Sequence, residues 1–141
     1  MATLPSGLPD QVADGENLSR FLTQSNQFTG RIAKPAAFLP NPKYRNTSVF
    51  RIGAEVDRLR QVWSETTQGE RTLKAVAIVS AASVRTAGLD LIAVEPPPAH
   101  ANIEGWPWLD HDPELQKARQ KERGGGGGKW GRRDCVVTKL P

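Results

Sequence analysis

The residues best suited to chemistry lie in one stretch, PPPAHANIEGWPWLDH, at residues 96–111, which holds both histidines of the chain and two of its four tryptophans. An unperturbed imidazole titrates near neutral pH, so His100 could serve as a base, an acid or a ligand. On an extended chain Asn102 points to the same side as His100, and both could face a ligand. His100 is therefore the candidate catalytic residue, and both are candidate binding residues. Three consecutive prolines predict a loop here, with neither a long helix nor a central strand.

Two further side chains complete the candidate binding set. Trp106 precedes Pro107 and could stack on a partner or a base, but we favour a second interpretation, in which it plugs the edge of a small core. Arg51 lies between Phe50 and Ile52, so on a strand it faces away from both of them and could meet an anion.

The partners that a catalytic histidine needs are not evident in the sequence. Catalysis by histidine normally requires a nucleophile, a carboxylate or a metal. The acidic residues near His100 have no spacing that demands a metal, and no Cys/His spacing indicates zinc. Ser48 and Ser83 lack the GxSxG setting, and GGGGGK lacks the P-loop pattern. These observations lean against an enzyme without excluding one, and we expect no metal and no cofactor.

The elements that position these residues follow from the hydrophobic periodicity. It predicts a short helix that begins at Asn17, a strand over 47–52, an amphipathic helix over 54–66, a strand over 89–94 and a helix over 114–123.

The most apolar part of the chain allows two interpretations. Its length and its alanines favour a buried helix over 73–87, with Arg85 in the last turn and Gly88 just beyond the end. The alternative is a strand at AVAIVS, residues 75–80, because β-branched side chains are adjacent there.

The order of these elements predicts a small α+β domain, or a small two-layer α/β domain, with a few helices packed on a small sheet. We expect a single domain over 17–123, preceded by a disordered leader at 1–16 and followed by a flexible, Gly-rich basic tail at 124–141.

The tail carries the basic character of the chain. Residues 117–141 hold eight basic and two acidic side chains, whereas the formal net charge of the whole chain is +4. Five consecutive glycines cannot continue a helix, because each costs about 1 kcal/mol relative to alanine. One hypothesis is that residues 124–141 are an out-of-frame peptide. The other is a glycine linker with a basic tail that binds nucleic acid.

The succession LSRFL, PAAFLPNP, TSVFR, VRTAGLDLI and HANIEGWP resembles a family of small uncharacterised bacterial proteins. The resemblance covers about residues 18–122 and carries no established activity. In the family pattern an arginine precedes the histidine, where this chain has Ala99.

These observations favour a small cytoplasmic accessory protein that recognises a ligand, or a protein partner from the same operon, through residues 96–108. No signal peptide or membrane span is expected. The alternative is a small enzyme or nucleotide-binding subunit that uses His100 and Asn102, with Arg51 as the anion partner. A third function, nucleic-acid binding, depends on residues 124–141.

Overall fold

The computed structural model describes residues 2–66, 72–124 and 135–138. These residues form a mixed α+β domain with a six-stranded antiparallel sheet, a two-stranded sheet and three α-helices. The α+β prediction is therefore confirmed, and the sheet contributes more of the fold than expected. None of the described helices has the length and apolar character needed to cross a membrane.

The strands are β1 Asn17–Leu22, β2 Phe28–Thr29, β3 Ile32–Ala33, β4 Thr47–Phe50, β5 Ala75–Ser80, β6 Asp90–Ala93, β7 His100–Glu104 and β8 Cys135–Thr138. The helices are α1 Val56–Thr66, α2 Ala81–Thr86 and α3 Pro113–Arg123. The strand order in the large sheet is β6-β7-β4-β1-β5-β8, and every neighbouring pair is antiparallel. β2 and β3 form the small sheet.

The two faces of the large sheet are covered to different extents. Leu18, Leu22 and Ile103 lie on one face, in a core that also includes Val84 of α2 and Phe38 from a 3-10 helix. The opposite face holds a smaller cluster against α1. On this face Ile92 of the edge strand β6 and Val136 of the edge strand β8 are exposed. Among the described residues, the cluster against α1 therefore covers the middle of the sheet. The candidate site lies there.

Residues 17–22 form a strand, so the short helix predicted to begin at Asn17 is wrong. Leu18 and Leu22 are fully buried on one face, whereas Ser19 and Phe21 point to the other. A strand that is buried on both faces loses the alternation of polar and apolar residues, and its apolar positions can mimic helical spacing.

The apolar segment divides into β5 and α2, so the helix predicted over 73–87 is wrong for 75–80 and the strand alternative is confirmed there. The side chain of Ser80 accepts a hydrogen bond from the Ser83 N–H and begins α2. Arg85 lies in the last turn, and Gly88 follows with φ +83°, as predicted. β5 lies between β1 and β8 and is mostly buried on both faces, which explains its continuous apolar sequence.

The other predicted elements are confirmed, with small changes in their bounds. β4 and β6 form within 47–52 and 89–94, and α1 occupies most of 54–66. α3 begins behind Asp112, whose side chain accepts a hydrogen bond from the Leu115 N–H at 3.1 Å.

The histidine segment also contains a central strand, contrary to the prediction for residues 96–111. The prolines end at Pro98, and β7 then pairs with β6 on one side and with β4 on the other. The three prolines confine the irregular backbone to residues 94–99 and leave the following residues free to pair.

The described residues 2–16, which fall in the leader predicted to be disordered, contact the domain at several places. The guanidinium of Arg51 donates to both Glu16 carboxylate oxygens, at 2.7 and 2.8 Å, and to the carbonyl oxygens of Pro9 and Gln11. The Arg51 side chain is fully buried. Because a buried charge needs a partner, this arginine orders an otherwise polar segment.

Within the predicted tail, residues 135–138 form β8 on β5 and bury Cys135 and Val137. Residues 125–134 and 139–141, which hold all four basic side chains of the predicted tail 124–141, lie outside the described residues. The out-of-frame origin of 124–141 stays a prediction.

Glu16→Gln tests the arginine contact. Although partial burial alone would raise it, the hydrogen bonds from Arg51 hold the pKa of Glu16 below 4.5. The ionised pair therefore stabilises the fold near neutral pH, and its contribution is lost as the pH falls through that lowered pKa. We expect urea unfolding to show a loss of about 1.5–3 kcal/mol at about pH 7 and a much smaller loss at about pH 3. Glu55→Gln, in an exposed pair with Arg58 at 3.8 Å, should change stability by less than about 0.5 kcal/mol. Equal effects of the two variants would contradict this role of Arg51.

Two neighbouring valines test the last strand. Val137 is 1% exposed and Val136 is 49% exposed. Val137→Ala should lower the free energy of unfolding by about 2 kcal/mol, because it removes buried methyl groups and leaves a cavity. Val136→Ala should change it by less than about 0.5 kcal/mol. If both substitutions are neutral in thermal unfolding, residues 135–138 do not pack on β5.

Candidate functional site

A cleft opens where β1 and β4 separate. Their pairing includes Ser19 opposite Phe50 and does not continue along the two strands. The guanidinium of Arg20 fills the gap and donates from Nη1 to the Ser48 carbonyl oxygen at 3.0 Å and from Nε to the Ala37 carbonyl oxygen at 3.3 Å. The space beside it is a cavity of about 530 Å³, which is the size of small-molecule sites in proteins.

Four rings form a continuous row along this cleft. The Trp63 and Phe21 ring centroids are 5.3 Å apart, those of Phe21 and Phe50 are 5.4 Å apart, and those of Phe50 and His100 are 5.3 Å apart. These distances are typical of favourable tilted and edge-to-face contacts. Three of the rings come from strands of the sheet and one comes from α1, so the helix closes one end of the row. We use "the cleft" for the cavity lined by Arg20, Phe21, Ser48, Phe50, Trp63 and His100.

Ser48 and His100 form a hydrogen-bonded pair in the cleft. The Ser48 Oγ lies 2.6 Å from the His100 Nε2, and the Nδ1 of the same ring lies 2.9 Å from the Val94 carbonyl oxygen. A carbonyl oxygen only accepts, so Nδ1 carries a proton and donates it to Val94. In the neutral ring Nε2 then has a free lone pair, which accepts the hydrogen bond from the Ser48 hydroxyl.

Burial keeps the ring neutral at physiological pH. Removal from water lowers the pKa of His100 below 6.5, and the hydrogen bond to the Val94 carbonyl oxygen offsets this effect only in part. Nε2 is therefore a base in its unprotonated form near pH 7, and it is already bonded to a hydroxyl.

The loop before β7 determines where the His100 ring lies. Glu95 accepts hydrogen bonds from the Ser6 N–H at 3.0 Å, the Ser6 hydroxyl at 2.5 Å and the Ala99 N–H at 3.1 Å. Ala99 is fully buried with φ +63°, a backbone conformation that non-glycine residues rarely adopt. Ser6 of the leader therefore binds Glu95, and Glu95 in turn binds Ala99, the residue directly before His100.

Arg20 supplies positive charge at the same cleft. Burial away from water lowers the pKa of its guanidinium to about 10, so it remains protonated near neutral pH. Its hydrogen bonds go to two backbone carbonyl oxygens, and it forms no ion pair with a carboxylate of the described residues. A partly buried cation without a counter-charge favours binding of an anion.

The structure brings only one of the four predicted binding residues into the cleft. Asn102 lies on the same sheet face as His100, as predicted. It is paired directly with Ser48 across β4 and β7, and it is not among the residues that line the cleft. Trp106 is 4% exposed in the opposite core, and its Nε1–H donates to the Ile103 carbonyl oxygen at 3.2 Å. The core-plug interpretation of Trp106 is therefore confirmed.

Arg51 is also absent from the cleft, because it lies beyond the end of β4 and its side chain is fully buried against the leader. Its guanidinium is bonded to Glu16 and to two backbone carbonyl oxygens. The arginine that lines the cleft together with His100 is Arg20 instead.

A second cavity, of about 580 Å³, lies beside β8 and is lined by Gly30, Arg31 and residues 136–138. It contains one charged side chain and no pair of reactive groups among its described lining residues. The cleft is the stronger candidate because a base, a hydroxyl and a cation meet there.

Sequence reasoning missed Arg20, Ser48 and the aromatic row. Alternation along β4 puts Ser48 and Phe50 on one face, and alternation along β7 does the same for His100 and Asn102. That signal is present in the sequence, but joining the two sets requires knowing that β4 and β7 pair.

Comparison of the chain with protein-family models, curated proteins and solved structures finds no match. The resemblance to a bacterial family therefore stays a prediction, and the function must be argued from the cleft alone.

The protonation state of His100 is directly testable. Nitrogen-15 NMR at neutral pH should show Nδ1 protonated and Nε2 unprotonated, and the ring should titrate with a midpoint below 6.5 because burial disfavours the charged form. Ser48→Ala should leave the Nδ1 proton in place, since the Val94 carbonyl oxygen still accepts it. A neutral ring protonated at Nε2 would contradict the geometry described here.

Proposed function

We propose that the protein binds a small organic anion with an aromatic or apolar body in the cleft. The observation that carries this proposal is the position of Arg20, a cation without a carboxylate partner among the described residues, beside a row of aromatic rings. The rings offer apolar contact area, and the guanidinium offers donors in a planar fork that suits a carboxylate.

The cavity volume and its position support a small ligand over a protein surface. At about 530 Å³ the cavity lies within the range of small-molecule sites. Of the segment 96–108, which the sequence predicts to recognise a ligand or partner, Pro97 and His100 line the cavity. Trp106, the side chain best suited to contact a partner protein, is buried in the other core.

The charge balance in the cleft favours an anion over a cation. His100 is neutral near pH 7 because burial lowers its pKa, and none of the described lining residues is acidic. A bound carboxylate would supply the counter-charge that the described residues do not provide for Arg20, and a neutral isostere would not.

Phenylacetate and phenylacetamide distinguish these contributions, because they share a ring and differ in charge. We expect chemical-shift titration to show that phenylacetate binds more tightly, with the largest shifts at β1 and β4. Arg20→Gln keeps an N–H donor for the Ser48 carbonyl oxygen and removes the charge. It should abolish the preference for the carboxylate while leaving the fold intact in circular dichroism.

Trp63→Ala should weaken phenylacetate binding by about 2- to 10-fold, because an aromatic contact contributes about 0.5–1.5 kcal/mol. The matched control is Trp108→Ala, a partly buried tryptophan that packs on the other core and under Arg45. Equal affinity for the two probes, or equal losses in the two tryptophan variants, would contradict the proposal.

A further inference from the structure

We propose that Ser48 is a nucleophile, activated by His100, that accepts the acyl group of a carboxylic ester bound in the cleft. This inference rests on the proposed ligand binding, since hydrolysis of such an ester produces the organic anion that the cleft is proposed to hold. It assigns a reaction to two side chains that the binding function alone does not require.

The geometry of the pair is that of an activated serine. The distance of 2.6 Å between Ser48 Oγ and His100 Nε2 lies within the hydrogen-bond reach expected of a nucleophile and its base. A third group orients the base, because the Val94 carbonyl oxygen accepts the Nδ1 proton at 2.9 Å. In a serine triad a carboxylate holds the histidine tautomer in the same way. Here a backbone carbonyl supplies the orientation without the negative charge.

The surroundings of the pair also fit this role. Ser48 and His100 come from adjacent strands of the sheet, whose pairing fixes their relative position. Both side chains line the same cavity, so a bound molecule can reach the hydroxyl. The Arg20 guanidinium donates to the backbone carbonyl oxygen of Ser48 and lines the same cavity, so it brings positive charge to the cavity in which the ester carbonyl oxygen would become an oxyanion.

The reaction balances without a cofactor. Ser48 Oγ forms a bond to the ester carbonyl carbon while His100 Nε2 takes the hydroxyl proton, giving a tetrahedral intermediate. The bond from this carbon to the alcohol oxygen then breaks, and Nε2 returns the proton to the departing alcohol. Water attacks the acyl-serine, and Nε2 takes a proton from it. Ser48 Oγ leaves with that proton, and the acid product gives its remaining proton to solvent and is released as its carboxylate.

Phenylmethylsulfonyl fluoride is a suitable probe, because it carries an aromatic ring and sulfonylates activated serines with loss of fluoride. Intact-mass and peptide mass spectrometry of the full chain should find one adduct, on Ser48. Ser48→Ala should not be labelled. The matched control is Ser64→Ala, an exposed serine on α1, which should be labelled like the unmodified protein.

Hydrolysis of 4-nitrophenyl acetate provides the second readout. His100→Gln should lower the rate by about 100- to 10,000-fold, the usual contribution of a general base. The rate of the unmodified protein should rise with pH and level off below about pH 7, since burial lowers the pKa of His100. A pH-independent rate, or equal rates for Ser48→Ala and the unmodified protein, would overturn the proposal.

The outcomes separate this inference from the proposed function. Labelling of Ser48 together with loss of hydrolysis in the variants supports the nucleophile. If phenylacetate binds but Ser48 is not labelled, or another serine is labelled, the nucleophile is rejected and the binding function stands. If neither binding nor labelling occurs, both are rejected. Mapping the adduct on the unmodified protein decides the question even if a variant fails to fold.

Discussion

The candidate site depends on one constraint, the antiparallel register of β4 with β7. That register places Phe50 opposite His100 and Ser48 opposite Asn102, and it brings together two reactive side chains that are 52 residues apart in the chain. Side chains alternate along a strand, so a shift of one residue would turn His100 into the opposite core. The sheet therefore determines the positions of Ser48 and His100. The loop at residues 94–99 orients the His100 ring through the Val94 carbonyl oxygen.

Two arginines, the fully buried Arg51 and the partly buried Arg20, differ in how their charge is compensated. Arg51 is neutralised by Glu16, and the contact holds the leader on the domain. Among the described residues, Arg20 is held by two backbone carbonyl oxygens, and it lines the cleft. In the first arrangement a carboxylate of the same chain neutralises the Arg51 charge, which is the usual requirement for a buried ion. The second provides no carboxylate partner among the described residues, and the proposed anion site rests on this difference between the two arginines.

The sequence predicts local elements well where one face is polar. The amphipathic helix α1 and the capped helix α3 follow from such patterns. It fails where both faces are buried, as in β1 and β5, because a continuous apolar segment carries no clear period. His100 could be selected from its chemistry alone. Its partner Ser48 could not, because their contact is made by non-local pairing that no short motif encodes.

Residues 2–16 show a related limit of local sequence patterns. Their composition is polar and rich in turns, which is typical of disorder, yet one buried arginine and the Glu95 carboxylate supply specific partners for them. Cross-strand contacts in NMR test the central claim most directly. The structure requires backbone proton contacts between Phe50 and His100 and between Ser48 and Asn102. A register shifted by one residue, with Phe50 opposite Ala101, would separate His100 from Ser48 and contradict this account.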